Sequence, residues 1–145
     1  MLSNHTVGNI GLYYVCYRLS RLGWNVMPTS RNAKGVDVIA YSEDGSSILT
    51  FQVKALSKRN AVSLGRNPAH FIADFLIVCR YVQTDEPECF ILPKDDAKRL
   101  CHPSGKEDNV SYWLEAAQYE GSEFPERWDR VSPPAPPQIP ATGSE

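Results

Sequence analysis

No run of apolar residues in this 145-residue chain approaches the roughly 20 that a helix needs to cross a bilayer. The N-terminus also lacks the basic-then-apolar order of a secretory signal, so no membrane span is expected and a cytoplasmic location is. The four cysteines, Cys16, Cys79, Cys89 and Cys101, form no CxxC pair and have no histidine at ligand spacing, which argues against a zinc site and for reduced thiols. His5, His70 and His102 share no triad or metal spacing, and no GxSxG elbow is present. Gly105-Lys106 has no glycine five residues earlier and is followed by Glu107, which excludes a Walker-type phosphate loop. Internal repeats are absent.

The length suits one domain with a core large enough to fold without disulfides or a structural metal. The net charge of −2 hides an uneven distribution. Through Arg66 there are eight Lys/Arg against three Asp/Glu, and from Asn67 onward seven against fourteen, so the halves carry +5 and −7. A basic half is compatible with phosphate binding, though many proteins with such a split never meet nucleic acid.

Leu12, Val15, Cys16, Leu19 and Leu22 recur at spacings of three and four. This stripe predicts an amphipathic helix from about Thr6 to Leu22, capped by Thr6 and ended by Gly23. Gly8-Asn9-Ile10-Gly11 lies inside that pattern, so its glycines read as packing residues and not as a nucleic-acid-binding GxxG loop. Three extended segments follow at Trp24 to Pro28, Val36 to Ser42 and Ile48 to Lys54, the last two joined by Asp44-Gly45, a two-residue hairpin signal. Ala55 to Ala73 is polar, basic and broken by Gly65 and Pro68, with room for a short helix. Phe75 to Val82 reads as a strand covered on both faces and Cys89 to Leu92 as a shorter neighbour. Pro93 opens a helix through Leu100. Val110 to Ala116 is open between strand and amphipathic helix, and Phe124 to Val131, with Trp128, closes the domain. The expected domain spans 1–131. Residues 132–145 are proline-rich and form a flexible tail.

The chemistry concentrates on the hairpin. Residues two apart on a strand share a face, so Gln52 and Lys54 project together while Phe51 and Val53 point to the apolar side. If Glu43 pairs with Ser46 across the turn, Asp37 falls opposite Gln52, with Cβ atoms roughly 5 Å apart. Lys54 lies one diagonal step on, at roughly 7 to 8 Å. An exposed polar hairpin face would carry the same three residue types. As a site, they suit phosphodiester hydrolysis: Asp37, the Gln52 amide oxygen and the Val53 carbonyl are hard oxygen donors for Mg²⁺ or Mn²⁺, and Lys54 is a cation for the attacking water or the phosphoryl oxygens.

Gly35-Val36-Asp37-Val38-Ile39, a hairpin and Phe51-Gln52-Val53-Lys54 together resemble the PD-(D/E)XK nuclease superfamily core. The preceding helix and the later apolar strand are similar to its αβββαβ order over about Thr6 to Leu100. The resemblance implies an α/β (α+β) restriction-endonuclease-like fold with a central mixed sheet flanked by helices. It implies a Mg²⁺-dependent nuclease with Asp37, Gln52 and Lys54 at its centre. Gln52 stands where many members have an acid, as in the QxK variants of Mrr-like endonucleases. Asn9 appears at the place of a glutamate on the first helix, as a supporting polar group.

With Asp37 as the one formal negative charge, weak metal binding is expected. Arg31, Lys34, Lys58, Arg59 and Arg66 flank the two strands and are candidate phosphate contacts. The expected partner is nucleic acid, DNA ahead of RNA. The small size favours structure-selective cleavage, homodimerisation or membership of a larger complex. The reading from a different class is a catalytically silent nuclease-fold protein that binds nucleic acid or a protein partner.

Overall fold

The computed structural model describes residues 1–30 and 35–135. Helix α1 spans Asn4–Arg21. It starts ahead of the expected Thr6 because Ser3 is the cap, its hydroxyl oxygen accepting the Thr6 N–H at 3.1 Å. It ends as a Schellman turn: Gly23, at φ +109°, donates to the Ser20 carbonyl, and Trp24 to that of Leu19. The Trp24 indole then donates to the Val131 carbonyl at 2.6 Å, tying the start of the sheet to the end of the domain.

Five strands form the main sheet: β1 (Asn25–Pro28), β2 (Val38–Tyr41), β3 (Ile48–Leu56), β5 (Phe75–Arg80) and β6 (Glu88–Pro93), in the order β1-β2-β3-β5-β6. All neighbours are antiparallel except β3 and β5, which run parallel, so the sheet is mixed, as expected. β5 and β6 are buried on both faces. Ile77, Cys79 and Ile91 join Val15, Leu19, Phe51 and Trp128 in one cluster beneath α1, whereas Leu76, Val78 and Leu92 join a second on the opposite face. The period of two that separates these sets is the strand alternation itself.

A parallel pair needs a crossover, commonly a helix. Here the crossover instead holds strand β4 (Val62–Gly65) and a 3₁₀ turn at Pro68–His70. The short helix for which the sequence left room is that single 3₁₀ turn, and no α-helix forms there. Ser57 to Asn60 offer no apolar stripe, Gly65 adopts φ +87°, and Pro68 interrupts the backbone donors. Val62 and Leu64 are buried on alternate positions, which suits a strand. β4 pairs with β8 (Ser111–Leu114), and β8 with β7 (His102–Ser104), forming a second sheet of three strands. The Val110 to Ala116 alternatives are thus resolved: a strand, followed by the one-turn helix α3 (Ala116–Tyr119). Between β6 and β7 lies helix α2 (Lys94–Leu100), with Pro93 at its N-cap.

Val131 is fully buried, and beyond it Ser132 to Ala135 carry no regular element. The expected tail from residue 136 onward lies outside the described residues. All four cysteines are free.

The two glycines of α1 differ sharply. A Cβ at Gly11 would come within 2.3 Å of the Ala55 Cβ, whereas one at Gly8 would meet nothing within 4 Å. Gly11 is therefore what lets α1 lie close on β3. Gly11→Ala is expected to lower the urea midpoint, because overpacking of about 1–3 kcal/mol outweighs a helix-propensity gain of about 1 kcal/mol. Gly8→Ala is expected to raise it by that gain alone. Equal shifts in the two variants would refute this account of the helix–sheet contact.

Candidate active site on the β2–β3 hairpin

The hairpin register is Val38↔Phe51, Ile39↔Thr50, Ala40↔Leu49 and Tyr41↔Ile48. The paired register ends at Val38↔Phe51: Asp37 lies in a bend before β2 and its N–H donates to the Phe51 carbonyl, so the expected rung between Asp37 and Gln52 is not part of the ladder. The turn itself differs from the expected two-residue form. The Ser42 N–H donates to the Ser47 carbonyl and the Gly45 N–H to that of Ser42, so four residues, Glu43 to Ser46, make the loop. Asp44 rivets it: Oδ1 accepts from the Ser46 N–H at 3.0 Å and from the Ser46 and Ser42 hydroxyls at 2.8 Å. Those donors, Ser46 foremost, hold the Asp44 carboxyl below its ordinary range. The register survives because both loops are centred on the same peptide bond.

Asp37 is held from both neighbouring strands. Its N–H donates to the Phe51 carbonyl at 2.8 Å, its carbonyl accepts from the Thr29 N–H at 2.9 Å, and its carboxylate Oδ2 accepts from the Val53 N–H at 2.7 Å. Regular β2–β3 pairing has ended by then, so the carboxylate takes the place of the next ladder carbonyl. The N–H and C=O of one strand residue point to the same edge, which puts the Val53 carbonyl on the edge that Asp37 occupies. Oδ1 makes no protein hydrogen bond among the described residues.

Phe51, Val53 and Ala55 pack toward α1, and Leu56 toward the second cluster. Gln52 and Lys54 therefore project from the face of the sheet away from α1, with Asp37 beside them. Lys54 is half-buried, and burial pushes its ammonium below the ordinary lysine range while the negative charge of Asp37 pulls it back. Gln52 borders a cleft of about 440 Å³, whose other polar lining comes from Arg66, Asn67 and His70 on the crossover.

The remaining candidates scatter. Asn9 is exposed, with its amide against the His5 ring; it sits two residues from Gly11, hence on the far side of α1 from Ala55. The structure does not bring it to Gln52 and Lys54, which are on the other face of the sheet. Arg59 is bound by Glu120 through two hydrogen bonds of 2.7 and 2.9 Å, and Glu120 also meets Arg80 at 2.5 Å. Arg59 and then Arg80 depress the Glu120 carboxyl to about 2. Its charge being met within the fold, Arg59 is no free phosphate contact. Lys58 borders a separate cleft of about 290 Å³ with Asn4 and Asn60. Arg31 and Lys34 lie outside the described residues. Asn67 and His70 escaped the sequence reading, since only the turn around Pro68 swings them over Gln52.

No family model matches this chain, and no curated protein does. Among solved structures, the bacterial homing endonuclease I-Ssp6803I is similar, with a TM-score of 0.58 at 15% identity, covering 90% of this chain and 93% of its own. The fold is restriction-endonuclease-like. The structure of Hjc, a Holliday junction resolvase from the archaeal hyperthermophile Archaeoglobus fulgidus, is also similar, with a TM-score of 0.49 at 12% identity, covering 74% of this chain and 89% of its own.

The desolvated Lys54 has a measurable cost. Its folded pKa lies below the unfolded value, so the unfolded chain binds more protons in the window between them, and stability rises as pH climbs through that window. Lys54→Met is expected to raise the melting temperature by a few degrees near pH 7, with the gain shrinking toward pH 10.5. A variant that melts lower at pH 7 would contradict the assignment of Lys54 as an ammonium kept at a cost.

Proposed function

We propose that this protein is a divalent-metal-dependent nuclease acting on DNA phosphodiester bonds. The observation that carries the reading is the Asp37 carboxylate bound to the N–H of Val53, the residue between Gln52 and Lys54, where β2 gives way. The likeness in fold to a homing endonuclease supports DNA as the substrate.

Three oxygens are suited to Mg²⁺ or Mn²⁺: Asp37 Oδ1, the Gln52 side-chain oxygen and the Val53 carbonyl. Hard cations take such donors and retain several waters. Bound there, the metal would polarise the phosphate and acidify a water. Asp37, fixed by the Val53 N–H through Oδ2, holds its other oxygen toward the scissile group. Lys54, poorly solvated and poorly compensated, gains most when negative charge develops on the phosphoryl oxygens beside it, and it orients the attacking water. With no separate recognition module among the described residues, the favoured substrates are branched or nicked DNA, cut by a homodimer or within a larger complex.

Incubation of plasmid, branched and single-stranded DNA with Mg²⁺ or Mn²⁺ tests this. Lys54→Ala is expected to slow cleavage by at least about 100-fold. Metal-dependent cutting that survives this substitution would eliminate the mechanism. Gln52→Glu adds a second charge to the donor set and is expected to tighten Mn²⁺ binding roughly tenfold, read by titration calorimetry without any substrate.

One observation favours the silent reading, a nuclease-fold protein that binds without cutting. Among the described residues no group of three or more His, Cys, Asp or Glu could hold a metal, which leaves Asp37 as the lone acid. Absence of cutting together with salt-sensitive DNA binding would select it.

A further inference from the structure

The return turn of the β3–β5 crossover passes over the face that carries Gln52. Among the described residues the cleft between them draws every polar side chain but Gln52 from that turn: Arg66, Asn67 and His70. Leu64 and Phe71 make its apolar wall, and a volume of about 440 Å³ is ample for one nucleotide unit. Arg66 spends one nitrogen on the exposed Asp108 carbonyl, at 3.1 Å, and no carboxylate among the described residues pairs with it. Asn67 caps the 3₁₀ turn through its oxygen, which accepts the Ala69 N–H, and its amide nitrogen stands 3.5 Å from the His70 ring. Among the described residues that line it, the cleft thus offers a guanidinium and an imidazole and no acid.

We infer that this cleft seats the nucleotide next to the scissile phosphate, with Arg66 and His70 holding its phosphodiester and Leu64 and Phe71 covering its sugar. The inference rests on the nuclease reading for the position of the scissile group, and it adds a substrate-binding wall that the hairpin does not possess. Arg66 matches a phosphate because a guanidinium presents parallel donors to two of its oxygens. Gly65, open on its Cβ side, leaves the lip of the cleft clear for a backbone to enter.

Binding of a labelled DNA duplex, followed by fluorescence anisotropy in EDTA across a salt series, separates this inference from catalysis. Arg66→Gln is expected to weaken binding about tenfold and to reduce the slope of log K against log salt by about one. His70→Ala is expected to weaken binding several-fold. Arg21→Ala, which removes the same charge from α1 on the other face of the sheet, is expected to leave the slope unchanged. Thermal melts of Arg66→Gln and His70→Ala check that each is folded. Absence of DNA binding by the wild-type protein, or equal slopes for Arg66→Gln and wild type, overturns the inference. The two readings fail separately: cleavage with an unchanged Arg66→Gln slope removes the cleft alone, and no cleavage with a reduced slope removes the nuclease while leaving the cleft.

Discussion

The hydrogen bond from the Val53 N–H to the Asp37 carboxylate is the contact on which the site depends. It forms where β2 stops accompanying β3, and a strand edge exposed there would leave a backbone donor unsatisfied. By accepting that donor, the carboxylate ends the pairing and is itself immobilised, so the bond that orders the acid also leaves the β3 edge beyond it uncovered by β2. A longer β2 would cover the edge and fill the site with ladder hydrogen bonds. A shorter one would release Asp37 from the Val53 N–H.

Two ways of treating buried charge coexist in this molecule. Arg80 sits against the Phe90, Tyr81 and Tyr119 rings and pairs with Glu88 and Glu120; with Arg59 on the same Glu120, that network is neutralised and structural. Lys54 is also desolvated, yet no carboxylate among the described residues comes within ion-pair distance, and Asp37 reaches it only through a longer-range field. A cation kept out of water without close pairing is costly. Such costs are typically retained where chemistry needs them.

What could be read before the fold was known was local in origin. Leu12, Val15, Cys16 and Leu19 announced α1 because a helix repeats within four residues, and the alternation at Phe51, Gln52, Val53 and Lys54 announced which side chains share a face. The register of the β2–β3 ladder was legible as well, since any hairpin centred on Asp44-Gly45 yields Val38↔Phe51, even though the loop is longer than the sequence suggested; the bend that takes Asp37 out of that ladder was not. The rest depended on partners distant in sequence. Arg59 looked free until Glu120, 61 residues away, was placed beside it. Asn9 looked like a site residue because the resemblance puts a glutamate there on the first helix, and a position on a helix does not say how that helix meets the sheet beneath. The crossover was harder still, because Val62 and Leu64 are a strand only by virtue of β8.

That crossover links architecture to recognition. A helix between β3 and β5 would have had to bury an apolar stripe against the sheet, over the face that carries Gln52 and Lys54. Ser57 to Asn60 and Arg66 to His70 are too polar to form such a stripe. By sending Val62 and Leu64 into a second sheet, the chain buries Val62 there and leaves Leu64 along the cleft beside the polar Arg66, Asn67 and His70. The second sheet, which contributes nothing to the hairpin geometry, is therefore what keeps the floor of the cleft open while supplying its wall.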